Sequence, residues 1–143
     1  MTEHWEYPER PIVAVGVVVL RGDEVMLVQR GNEPNKGKWS IPGGKQKLSE
    51  TVFEAVHREL EEETGVSIGE LVLIDVEDII VPDGKGKTMY HYTILGFKGQ
   101  WESGECRSGD DILYVEWFKL NELASLELTK KTRDFIFKAV GTK

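Results

Sequence analysis

The chain has 143 residues, enough for one compact domain with a real core and too few for two. Its hydrophobic content of 40% and charged content of 30% are ordinary for a globular protein, and a net charge of −7 argues against a nucleic-acid binder, which needs a basic footprint. A single cysteine, Cys106, rules out an internal disulfide and fits a reducing cytoplasm, where an inert thiol is its ordinary role.

In chain order, Thr2 to Pro11 is polar and aromatic, unlike the apolar core of a secretory signal. Ile12 to Leu20 is the longest apolar stretch; it is too short to cross a bilayer and, being valine-rich, reads as a buried strand. With Val25 to Gln29 it forms a hairpin through the turn at Arg21-Gly22-Asp23-Glu24. Gly31 to Lys38 is a polar loop, and Trp39-Ser40-Ile41 is a short apolar segment stopped by Pro42. A helix is expected from an N-cap at Ser49, with Glu50 in its first turn, to a stop at Gly65. Val66 to Val81 is β-rich, Met89 to Phe97 a further strand, and Glu102 to Asp111 an acidic loop. Ile112 to Phe118 reads as a strand, Leu120 to Leu123 as a helical turn, and Thr129 to Val140 as a helix turning Phe135, Ile136, Ala139 and Val140 inward. The chain has no internal repeat, low-complexity segment or long linker. Strands interleaved with two helices imply an α/β sandwich with a mixed sheet between helical layers.

The central helix carries an anomaly. At about 100° per residue, with Val56 as reference, Val52, Leu60 and Phe53 define an apolar arc. Glu63 falls inside that arc at about −20°, with Glu59 at about −60° and Glu62 at about −120°. Glu50, Glu54, His57, Arg58 and Glu61 cluster on the opposite face. Three anions beside a core, at the negative end of the helix dipole, are costly unless a cation compensates them. Mg²⁺ and Mn²⁺ favour such oxygen ligands. Most Glu-rich runs are nonetheless solvated helix ends, so the flanking residues must decide.

Those flanks read Gly44-x5-Glu50-x7-Arg58-Glu59-Leu60-x-Glu62-Glu63-x-Gly65-Val66. This pattern resembles the signature of the Nudix hydrolase family at all nine defined positions, a match expected by chance in far fewer than about one in a million such chains. The resemblance implies one Nudix domain spanning residues 1–143, a Nudix-type α/β/α sandwich, and metal-dependent hydrolysis of a nucleoside diphosphate linked to another moiety. Carried over by position, Glu59, Glu62 and Glu63 would ligate Mg²⁺, with Mn²⁺ as the alternative ion. Gly44 would add a backbone carbonyl, and Glu50 would take part at greater distance. Arg58 would orient a metal-binding carboxylate rather than touch substrate.

The general base is expected in the loop after the middle strands: Asp110 or Asp111 first, Glu105 second, and the signature's own Glu62 third. A merely solvated acidic loop is the bland alternative. Arg30 resembles the arginine that many family members aim at a phosphate, and Lys36 and Lys38 lie just before the signature. Tyr90, His91 and Tyr92 could stack on a base, although strand aromatics are more often core. No motif organises a nucleophilic triad.

Beyond the signature, Arg30 to Gly44 (RGNEPNKGKWSIPGG), Tyr90-His91-Tyr92-Thr93 and Ser108-Gly109-Asp110-Asp111 before Trp117-Phe118 resemble the small bacterial and archaeal members labelled ADP-ribose pyrophosphatases. Pro82, 16 residues past Val66, adds a weaker likeness. The implied reaction converts ADP-ribose to AMP and ribose 5-phosphate. A nucleoside triphosphate pyrophosphohydrolase and a non-catalytic nucleotide sensor are the alternatives. The expected partner is a small nucleotide in the cytoplasm, with no nucleic acid and no membrane. A homodimer is common among such proteins, and Trp5 to Pro11 is a candidate arm for one.

Overall fold

The computed structural model describes residues 6–31, 35–107 and 112–141. Its strands are β1 (Ile12–Arg21), β2 (Glu24–Arg30), β3 (Trp39–Ser40), β4 (Gly43–Lys45), β5 (Ser67–Ile68), β6 (Val72–Pro82), β7 (Thr88–Ser103) and β8 (Ile112–Lys119). The helices are α1 (Val52–Thr64) and α2 (Lys130–Gly141), with a 3-10 helix over Leu120–Ser125. All eight strands join one mixed sheet, in which β1 and β7 run parallel and the other pairings are antiparallel.

The alternation of side chains along β1 builds both layers of the sandwich. Val15, Val17 and Val19 face α1, where Ala55, Val56 and Leu60 meet them with Met26 and Phe97. Ala14 and Val18 face α2, where Phe135, Ile136 and Ala139 close a second core with Leu27 and Ile94. Each large apolar side chain fully buried in these cores stabilises the fold by about 1.5–3 kcal/mol. Gly96 permits the close approach of α2, since a Cβ there would lie 2.3 Å from the Phe135 ring.

One topological detail positions the site. The β1–β2 hairpin pairs only near its turn, at Leu20↔Val25 and Arg21↔Glu24, and then splays. β4 pairs with β1 beyond that point, with Val15 opposite Gly44 and Gly16 opposite Gly43. A Cβ on Gly43 would lie 2.0 Å from the Val15 carbonyl oxygen, so only glycine fits this crossing.

Several expectations are corrected. The helix begins at Val52 rather than at Ser49: Thr51 is the N-cap, and its side chain and that of Glu54 form a reciprocal capping box. Ser49 has φ +69° and Glu50 lies outside the helix. Phe53 is 51% exposed, although its ring lies 5.4 Å from that of Phe97. Val140 is exposed rather than turned inward. β7 runs on through Glu102 and Ser103, because β1, β5 and β6 all pair with it. Among the described residues, no helix is long and apolar enough to cross a membrane.

Candidate active site

The carboxylates of α1 are placed by its two ends. The capping box fixes where the helix starts, and Gly65 ends it in the left-handed conformation at φ 75°, its N–H donating to the Glu61 carbonyl. Glu59, Glu62 and Glu63 therefore occupy the final turns, with Glu59 buried, Glu63 half-buried and Glu62 exposed.

Arg58 organises this end of the helix. Its Nε and Nη2 donate to both oxygens of Glu50, at 2.6 and 3.0 Å. Nη1 donates to Glu59 at 2.6 Å and to Glu62 at 3.2 Å, and Nη2 also reaches the Lys45 carbonyl at 2.8 Å. Arg58, helped by the Lys47 N–H, holds the Glu50 carboxyl below its ordinary range. The two Glu50 oxygens thus serve Arg58 and the loop before the helix.

Glu63 takes a different partner. Its Oε1 accepts from the Gly43 N–H at 2.9 Å. Exclusion of water and then the nearby Glu59 push its pKa well above the ordinary carboxylate value, against the opposing pull of Gly43 and Arg30. Gly44 lies against Glu59: a Cβ there would sit 2.3 Å from Glu59 Oε2. The two glycines of β4 thus touch both inward-facing carboxylates. Among the described residues, no three His, Cys, Asp or Glu side chains already converge as a cation cage, since Glu59 and Glu62 turn toward Arg58 and Glu63 toward Gly43.

On the α2 side, the same glycines line a cavity of about 90 Å³. Arg30, Tyr92, Lys131 and Phe135 also line it. Arg30 is held at the end of β2 by backbone bonds from its N–H to the Lys38 carbonyl and from the Gly37 N–H to its own carbonyl. Sequence reasoning therefore brought Arg30, Gly44 and Tyr92 to one place. It also proposed Lys38 and Tyr90, neither of which lines this cavity; Tyr90 packs beside the α2-side core. It missed Lys131 and Asn35, which do. The signal for Lys131 was present, because it precedes the inward Phe135 by four residues and so shares its helix face.

Glu105 is exposed in the segment after β7. That segment is tied down by the Trp101 indole N–H to the Gly104 carbonyl and by the Arg107 N–H to the Thr64 carbonyl, both at 2.9 Å. It therefore lies at the C-terminal end of α1. Asp110 and Asp111 lie outside the described residues. Burial pushes the Cys106 thiol up to about 11, which makes it unreactive at neutral pH.

Comparison with known proteins decides the family: the NUDIX domain model matches residues 10–139, nearly the whole chain. The chain belongs to the NUDIX domain family. This Nudix chain is similar to an ADP-ribose pyrophosphatase of Methanocaldococcus jannaschii, with 37% identity over 116 residues, covering 81% of the chain and 66% of that protein. It thus spans just under two thirds of that relative's own length. Its fold is similar to that of a MutT NUDIX hydrolase from Burkholderia pseudomallei, with a TM-score of 0.79 and 32% identity over 91% of this chain and 98% of that one. The NUDIX domain of Shewanella oneidensis NrtR, solved with ADP ribose, shares the fold at a TM-score of 0.78 and 21% identity, covering 93% and 88% of the two chains.

Proposed function

We propose that this Nudix protein hydrolyses the diphosphate bond of ADP-ribose, or of a similar nucleoside diphosphate sugar, giving AMP and ribose 5-phosphate. The carrying observation is the double role of Gly43-Gly44, which contacts Glu59 and Glu63 while lining the cavity that also holds Arg30 and Tyr92. A diphosphate in that position would meet carboxylate chemistry on one side and a binding cavity on the other. The similarity to the M. jannaschii ADP-ribose pyrophosphatase supports the substrate class.

The donor set suits a hard divalent cation, Mg²⁺ or Mn²⁺, because three carboxylates and the Gly44 carbonyl are all oxygen donors. The electrostatics suit it too, since the upward shift at Glu63 is the strain that a nearby cation relieves. Glu59, Glu62, Glu63 and Gly44 would hold the ion, and its chemistry would be charge neutralisation on the diphosphate and activation of water. Arg58 positions Glu59 and Glu62 by ion pairing. Arg30 binds a phosphate oxygen, and Tyr92 packs against the organic part of the substrate. Water adds to one phosphorus and the P–O–P bond breaks. The water proton passes to an acidic side chain: Asp110 or Asp111 first, then Glu105, then Glu62. One-cysteine composition and a nucleotide substrate suit action in the cytoplasm.

The test is separate incubation with ADP-ribose and with nucleoside triphosphates in the presence of Mg²⁺, with products resolved by chromatography. AMP and ribose 5-phosphate are expected from ADP-ribose. Pyrophosphate release from triphosphates with no AMP from ADP-ribose would replace this reading with a triphosphate pyrophosphohydrolase.

A further inference from the structure

The cavity on the α2 side has apolar walls, including Ala14, Ile94 and Phe135, so its few polar side chains must set how an organic group lies within it. Arg30 stands at the end of β2, where its charge also acts on Glu63. Lys131 comes from the start of α2 and lines the same cavity. Its Nζ donates to the Tyr92 hydroxyl at 3.0 Å and lies 4.9 Å from the Tyr92 ring centroid. The neighbouring threonines bond locally: Thr129 and Thr132 hydroxyls pair at 2.7 Å, and Thr132 also accepts from the Ile41 N–H. They brace α2 against the segment before β4. Lys131 is different, because an ammonium carries three donors and Tyr92 takes one of them.

We infer that Lys131 is a specificity-determining residue: it donates a charge-assisted hydrogen bond to an acceptor on the organic part of a nucleotide substrate, and Tyr92 holds its ammonium in position. The acceptor is a ring nitrogen or carbonyl of the base, or a sugar hydroxyl, and these share the chemistry that an ammonium reads. A cavity built to hydrogen-bond one group discriminates against analogues that lack it. The inference rests on the diphosphate-sugar reading and adds the residue that ranks substrates. Its rival is a structural counter-ion role, because the Lys131 charge also acts on Glu77, which lies near Asp75 and Asp134.

The test uses the full chain with Mg²⁺ and four substrates: ADP-ribose, ADP-glucose, GDP-glucose and UDP-glucose. Lys131→Met should raise KM for the preferred substrate by about tenfold or more, with a smaller change in kcat, and should compress the substrate ranking. Lys131→Arg should restore most of the ranking, and Tyr92→Phe, which removes the hydroxyl anchor, should compress it less. A ranking change between the glucose compounds assigns the acceptor to the base, and one between the two adenosine compounds assigns it to the sugar. An unchanged ranking with a lowered Tm overturns the inference and leaves the counter-ion role. If the wild-type protein hydrolyses none of the four, the diphosphate-sugar reading fails. Calorimetric titration of ADP-ribose into wild type and Lys131→Met then decides the Lys131 assignment separately, and equal affinities overturn it.

Discussion

The two sides of the β4 crossing differ in what they ask of the chain. On the α1 side, carboxylates are crowded together and only partly compensated, with Arg58 serving three of them and Glu63 bonded to the Gly43 N–H within the field of Arg30. On the α2 side, apolar walls carry two cationic groups, Arg30 and Lys131. The first arrangement concentrates negative charge at a cost in stability; the second offers shape and a few hydrogen-bonding groups. Under the proposed function, reaction and recognition would be separated by the thickness of a glycine backbone.

The largest expected effect breaks the α1 side alone. Glu63→Gln should lower metal-dependent turnover by on the order of a hundredfold or more while leaving the protein folded and, without metal near neutral pH, at least as stable, because it removes a carboxyl whose ionised form is held away from water. Activity and thermal melting measured on the same preparation check this, and unchanged activity would refute the proposed ligand role.

The paired glycines sharpen the comparison next. Gly44→Ala drives a Cβ into the carboxylate of Glu59, a side chain rather than backbone, so activity should fall several-fold or more with a smaller loss of stability than at Gly43. Gly43→Ala meets the Val15 backbone instead and should destabilise by about 1–3 kcal/mol. Denaturation midpoints beside kcat separate the two, and equal stability losses would contradict the assigned contacts.

A smaller effect follows from the opposite shifts at Glu63 and Glu50. The Glu63 pKa is raised by folding, so its stabilising contribution is complete below the ordinary value of 4.5 and is lost as pH rises toward the raised folded value. The Glu50 pKa is lowered, so its contribution is present above 4.5 and is lost as pH falls through its folded value. Stability without metal should therefore decline with rising pH above about 4.5 from Glu63, and Glu63→Gln should flatten that limb. Added Mg²⁺ should raise Tm more at pH 8 than at pH 5, because the ion competes with a proton for the same carboxylate. A Mg²⁺ response independent of pH would count against Glu63 as a ligand.

The smallest effect tests the helix start. Thr51→Ala should cost about 1 kcal/mol in denaturant unfolding, while Ser49→Ala should cost much less. The reverse order would contradict the observed cap.

The Thr51 result shows what kind of information was legible. Thr51-x-x-Glu54 is a local signal fully written in the sequence, yet Ser49 is an equally good cap by residue type. The choice depends on Glu50 leaving the helix to meet Arg58, an ion pair across eight positions. Lys131 was legible from its spacing to Phe135, but its relevance depends on Tyr92, 39 residues away. Glu105 was found as an acidic loop residue, and its attachment to the end of α1 comes from bonds made by Trp101 and Arg107.

By itself, the sequence determined the periodicities of strands and helices, the nine-position signature and the anionic face of α1, because all of these arise from local spacing. Only the tertiary structure decided that β1 and β2 splay to admit β4, and that Gly43-Gly44 faces both the glutamates and the cavity. The reason is physical: the contacts across that crossing join segments far apart in the chain, and no local preference records which backbone must pass within reach of which side chain.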